Sequence, residues 1–184
     1  MKIFLIILSI VLAFIGLIII LMKKDEAISK KRRESGIDKK IISEFLKKNY
    51  PNFNSNWITG WNTYVEKNGR YIRKWRYRYL VLFDNKNDYF DLVYLDFNDD
   101  KIRKLSEERI KFDDKKIILE VEKDCATIEV GDPKEKDKFA KDKKRFIIEM
   151  ITMGKGQVDE GNPFALDQTK SFNDFIQFIK SKTN

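Results

Sequence analysis

Residues 3–22 form a run of 20 residues without a charged side chain; its one polar side chain is Ser9 and its one glycine is Gly16. At about 1.5 Å of rise per residue, a helix of this length covers roughly 30 Å, the thickness of a bilayer's hydrocarbon core. The rival reading is a secretory signal, whose apolar stretch is about 7–15 residues long and ends in a small-residue cleavage site. Here the run is longer, and Leu-Met-Lys-Lys-Asp-Glu follows it. The expectation is a single-pass protein of the cell membrane: residues 1–22 as a transmembrane anchor, 23–35 as a basic juxtamembrane linker and 36–184 as one soluble domain.

Basic residues beside a span set its orientation. Lys2 stands on the N-terminal side, against Lys23, Lys24, Lys30, Lys31, Arg32 and Arg33 on the other. That asymmetry favours a cytoplasmic domain over an exported one. The same six residues are the membrane-proximal basic group. Each is worth about 1 kcal/mol beside anionic head groups, but Asp25, Glu26 and Glu34 dilute them. A plain orientation signal is the simpler account.

Several chemistries are disfavoured by what the chain lacks. It has no histidine and one cysteine, Cys125. A Ser-His-Asp or Cys-His device is therefore excluded, and so is a disulfide framework within the chain. Gly154-Lys155-Gly156 fails as a phosphate loop, because the lysine lies between the glycines and no Ser or Thr follows it. Asp84 to Asp88 fails as a calcium loop, with Tyr89 where glycine is needed and Leu95 where a bidentate glutamate is needed. The aspartates suit turns. No catalytic residue, cofactor site or metal site is assigned, and the chain reads as a non-enzyme.

The domain reads as α+β, with a mainly antiparallel sheet of six to eight strands flanked by an N-terminal and a C-terminal amphipathic helix. Ser35 with Asp38 suggests a capping box opening a helix over 36–50, with Ile37, Ile41, Phe45 and Leu46 on one face. Strands are expected over 57–67, 70–83, 89–97, 117–121, 125–130 and 145–153, with one longer or two short strands over 101–112. The first two flank Asn68-Gly69, a strong hairpin signal because both turn positions take positive φ. Asp132-Pro133 marks a helix start, and residues 154–168 read as a Gly-rich loop. Ser171 with Asp174 suggests a second capping box, with Phe172, Phe175, Ile176 and Ile179 on one stripe.

One strand is unusually patterned. From Tyr71 to Phe83, alternate positions place Lys74, Arg76 and Arg78 on one face and Trp75, Tyr77 and Tyr79 on the other. An ordinary half-buried strand, aromatic side inward, accounts for this. A binding surface using Lys74, Arg76, Arg78 and Trp61 is the functional alternative, with Arg76 expected to lie opposite Trp61. The net charge of +8 permits nucleic acid, yet of 37 basic and 29 acidic residues seven and three lie in 1–35, leaving 30 against 26 beyond it. A nearly balanced domain tethered to a membrane is a poor nucleic-acid binder. The function expected is a membrane-anchored accessory protein, in an immunity, secretion or envelope-assembly role, binding a partner protein. The alternative is a module for anionic lipid or a peripheral ligand.

Overall fold

The structure, a computed structural model, describes residues 2–68, 71–98, 101–131, 144–154 and 163–183, with 2–3, 5–6, 63–68, 71–76 and 98 described by backbone alone. The turn residue Gly69, the turn at Asp99-Asp100, the helix start at Asp132-Pro133 and most of the Gly-rich stretch lie outside the described residues.

The chain opens with α1 (Lys2–Ser35), a helix of 34 residues. Its apolar part is long enough to cross a membrane, has a mean hydropathy of 2.4, and is nowhere buried in the fold. The basic juxtamembrane segment 23–35 is helical. It continues α1 without a break, because it offers no Gly or Pro to stop a helix until Gly36. There the backbone turns left-handed, with φ 66°, and α2 (Ile37–Asn49) begins.

Seven strands follow: β1 (Asn56–Asn68), β2 (Tyr71–Phe83), β3 (Tyr89–Asn98), β4 (Lys101–Lys111), β5 (Lys116–Glu122), β6 (Cys125–Gly131) and β7 (Lys144–Glu149), before the last helix, α3 (Thr169–Thr183). They form one sheet in the order β4-β3-β2-β1-β7-β6-β5, and every pairing is antiparallel. Local hairpins build each half, and the halves meet where β7 pairs with β1. That seam has two register pairs, Gly60 with Ile148 and Trp61 with Ile147. A Cβ on Gly60 would stand 2.8 Å from the carbonyl oxygen of Ile147, so the close approach of the two strands needs glycine there. The register slips between Tyr94 and Leu95, and such a bulge bends its strand. The sheet curls far enough for Lys144 of β7 to pair with Glu108 of β4.

The concave face wraps α3. Phe172, Phe175, Phe178 and Ile179 are buried there against Phe83, Phe90, Ile128, Phe146 and Ile148. Phe175 lies 4.9 Å from the Phe83 ring and 5.6 Å from that of Phe90. At about 25 cal/mol per Å² of apolar surface, this aromatic cluster supplies much of the drive to fold. The convex face is covered mainly over β2 and β3, where Ile42, Phe45 and Leu46 of α2, with Phe164 and Leu166, bury Leu80, Leu82, Val93 and Leu95, and Trp57 of β1 and Ile102 of β4 pack at the edges. Neither expected capping box forms. Asp38 is fully buried and turned away from its own helix end, and Ser171 falls inside α3. Asp167 instead accepts from the Thr169 amide and hydroxyl, at 3.1 and 2.8 Å, just ahead of α3.

Asp38 holds a knot of backbone and side chains. Arg32 of α1 donates to it twice, at 2.7 and 2.6 Å, and the Ala165 amide donates at 2.8 Å. Thr152 and Leu166 exchange backbone and side-chain bonds beside it. Arg33 donates to the Thr152 carbonyl at 3.0 Å. Gly154, at φ 74°, lies so close to Ala165 that a Cβ would come within 2.6 Å of its Cβ. The segment 163–168, expected as loop, is thus buried inside the domain apart from Asp167.

Candidate functional site

One transverse row crosses the convex face along the pairing register. It runs Glu120, Thr127, Ile147, Trp61, Arg78, Leu95 and Lys104, from β5 to β4. Side-chain parity puts all of these on the face away from α3. Over β5, β6 and β7 no helix covers that face among the described residues. Ile118, Glu120 and Arg145 are exposed, while Thr127, Glu129, Ile147, Glu149 and Trp61 are half-buried.

Trp61 sits in the middle of the row, on β1. Its indole N–H donates to Glu149 at 3.3 Å, and its partner across the ladder is Arg78. Arg76 lies opposite Thr63 and Lys74 opposite Val65, so the expected pairing of Arg76 with Trp61 is off by two residues. The register puts Lys74, Arg76 and Arg78 on the same face as Trp61. The side chains of Lys74 and Arg76 lie outside the described residues, and Arg78 is half-buried. Sequence reasoning missed the acidic flank. Glu120, Glu129 and Glu149 each alternate with inward-facing apolar residues, a pattern that was legible, but the pairing of β7 with β1 that brings them beside Trp61 was not.

The electrostatics of the row are graded, with carboxylates towards β5 and cations towards β2. Burial raises the Glu149 carboxyl above the usual range, the indole of Trp61 lowers it in part, and Asp124 raises it further. Beside it, Cys125 is half-buried, and burial with nearby carboxylates pushes its thiol up, away from the reactive thiolate. Gln168 ties the row's floor: its amide donates to the Thr59 and Glu149 carbonyls, at 3.0 and 2.7 Å.

The membrane-proximal basic residues divide. Lys23, Lys24, Lys30 and Lys31 are exposed on α1, whereas Arg32 and Arg33 are bound into the knot. A shallow groove at the far end of α2 is lined by Tyr50, Tyr89, Asp91 and Arg109. Its guanidinium is already engaged by Asp91, at 2.8 and 3.1 Å, and stacked on Tyr89. Burial pushes the Tyr50 phenol there up to about 12. Among the described residues, no group of His, Cys, Asp or Glu is placed to hold a metal ion.

No protein-family model, curated protein or solved structure matches the chain.

Proposed function

We propose that this chain is a single-pass membrane protein without catalytic activity, whose domain holds a partner protein beside the bilayer through the convex face of β5, β6, β7 and β1. The carrying observation is Trp61, half-buried on a sheet face that no helix covers among the described residues, with Glu149 on one side and Arg78 on the other. Tryptophan is enriched among the few residues that carry most of the binding energy of a protein interface. Flanking charges of both signs set register and reject wrong partners. A purely anionic surface, such as a lipid head-group layer, is repelled by Glu120, Glu129 and Glu149, so a protein surface of mixed charge suits the face better. The length and apolarity of α1 support the anchor, and the basic asymmetry around its apolar run favours a cytoplasmic domain.

The test places a photocrosslinking amino acid at Ile118 or Thr127 on the open face, and separately at Lys47 on the outer side of α2. It uses the full chain in its native membranes, washed with alkaline carbonate. The chain should remain in the pellet. The open-face positions should give one discrete protein adduct that Trp61→Ala reduces sharply and that Lys47 does not give. Equal adducts from both surfaces, or none from Ile118 and Thr127, would overturn the reading.

A further inference from the structure

Met153 lies between two fixed residues of the knot. Thr152 is held by Leu166 and Arg33, and Gly154 is pressed on Ala165. The half-buried Met153 is directed at α1, where it lines an open groove with Ile19, Met22, Lys23 and Glu26. These residues are not an arbitrary stretch of the helix. Ile19 and Met22 belong to the last turn of the uncharged run, and Lys23 is the first charge beyond it. A side chain of the domain therefore stands level with the end of the apolar segment. The helix around it is bare: Ile18, Ile19, Ile20, Leu21 and Met22 are all more than two-fifths exposed.

We propose that the groove between Met153 and α1 takes the upper acyl chain of a bilayer phospholipid, seating the domain on the membrane surface at this point. The apolar walls Ile19, Met22 and Met153 suit a hydrocarbon chain, and methionine adapts its shape to an irregular partner. Lys23 stands at the rim, where a lysine reaches towards a phosphate while its stem stays among apolar groups. Glu26 marks the watery end. The continuity of the groove with the exposed apolar surface of α1 identifies the occupant as lipid. This inference rests on the proposal that α1 spans the bilayer.

The experiment measures depth in the full chain, reconstituted in vesicles of phosphatidylcholine and phosphatidylglycerol. In a Cys125→Ser background, one cysteine at a time carries an environment-sensitive fluorophore: Leu12→Cys in the span, Met153→Cys and Glu26→Cys at the groove, and Lys180→Cys on exposed α3. Lipids bear a spin-label quencher either near the head group or deep in the acyl chain. The deep quencher should act best on Leu12. The shallow one should quench Met153 and Glu26 several-fold more than Lys180. Glu26→Cys reports the same groove without disturbing the knot, so misfolding of the Met153 variant does not decide the matter. If Leu12 is quenched while Met153 and Glu26 respond no more than Lys180, the seating is wrong and the span stands. If Leu12 is not quenched, the span falls and the seating with it.

Discussion

The two halves of the sheet are built from similar hairpins, yet they treat their convex faces differently. In β2 and β3 the segments Tyr79–Phe83 and Leu92–Val93 are buried on both sides, because α3 covers one face and α2 the other. In β6 burial alternates residue by residue, with Ala126, Ile128 and Val130 inside and Thr127 and Glu129 facing out. The continuous apolar run and the strict alternation are the two signatures of a strand covered twice and once. Among the described residues, the difference separates the part of the sheet that is packed on both faces from the part that is packed on one.

The sharpest way to break this contrast is to truncate one side chain on each side of it. Phe175→Ala, at a side chain packed under β2 and β3 against Phe83 and Phe90, should cost about 3–5 kcal/mol, as large-to-small changes in a packed core do. Ile147→Ala, on the open face, should cost less than about 1 kcal/mol. Denaturant unfolding of the detergent-solubilised chain checks both. Similar losses would mean that the convex face of β5–β7 is packed after all.

A substitution at the seam comes next. Gly60→Ala should cost about 1–3 kcal/mol, the usual effect of forcing atoms into a closed contact. Its signature is regional: hydrogen exchange should quicken in β7 and β6 more than in β2 and β3. Uniform quickening would mean that the sheet is one cooperative unit without a weak line at β1 and β7.

Much of this architecture was readable beforehand. The runs and turn residues marked all seven strands to within a few residues, because local hairpins follow from turn chemistry and period-two patterning. The long apolar helix was readable from its composition. What escaped was non-local. Nothing in Gly60 or Ile148 signals that residues 88 apart in sequence will pair. Asp38 follows Ser35 at capping-box spacing, yet its carboxylate is claimed by Arg32 and by Ala165, 127 residues away. Of the candidate site, Trp61 and the basic row came from the sequence, and Glu149 required the seam.

The smallest effect expected is electrostatic. Glu149 has its proton affinity raised by burial in the folded domain, so the native state binds that proton more tightly than the unfolded chain. Stability attributable to this group is gained as pH falls through the raised pKa, and is complete below the ordinary glutamate value. At neutral pH the ionised carboxylate is a liability. Glu149→Gln, which keeps an acceptor for the Trp61 indole, should raise the melting temperature slightly at neutral pH and flatten its rise on mild acidification. An unchanged pH profile would show that the carboxyl is well solvated, and the open face with it.

The knot at Arg32, Arg33 and Asp38 has a mechanical side. A domain joined to its anchor by a flexible tether can swing over a wide cone, and a pull on it only straightens the tether. Here helix and domain share a partly buried ion pair and a backbone acceptor, with Gly36 as the sole bend between α1 and α2. With α1 in the membrane as proposed, the domain is a handle fixed to a shaft. Torque or tilt applied by a bound protein at the convex face would pass straight to the helix in the bilayer, and rotation of the helix would swing that face through the same angle.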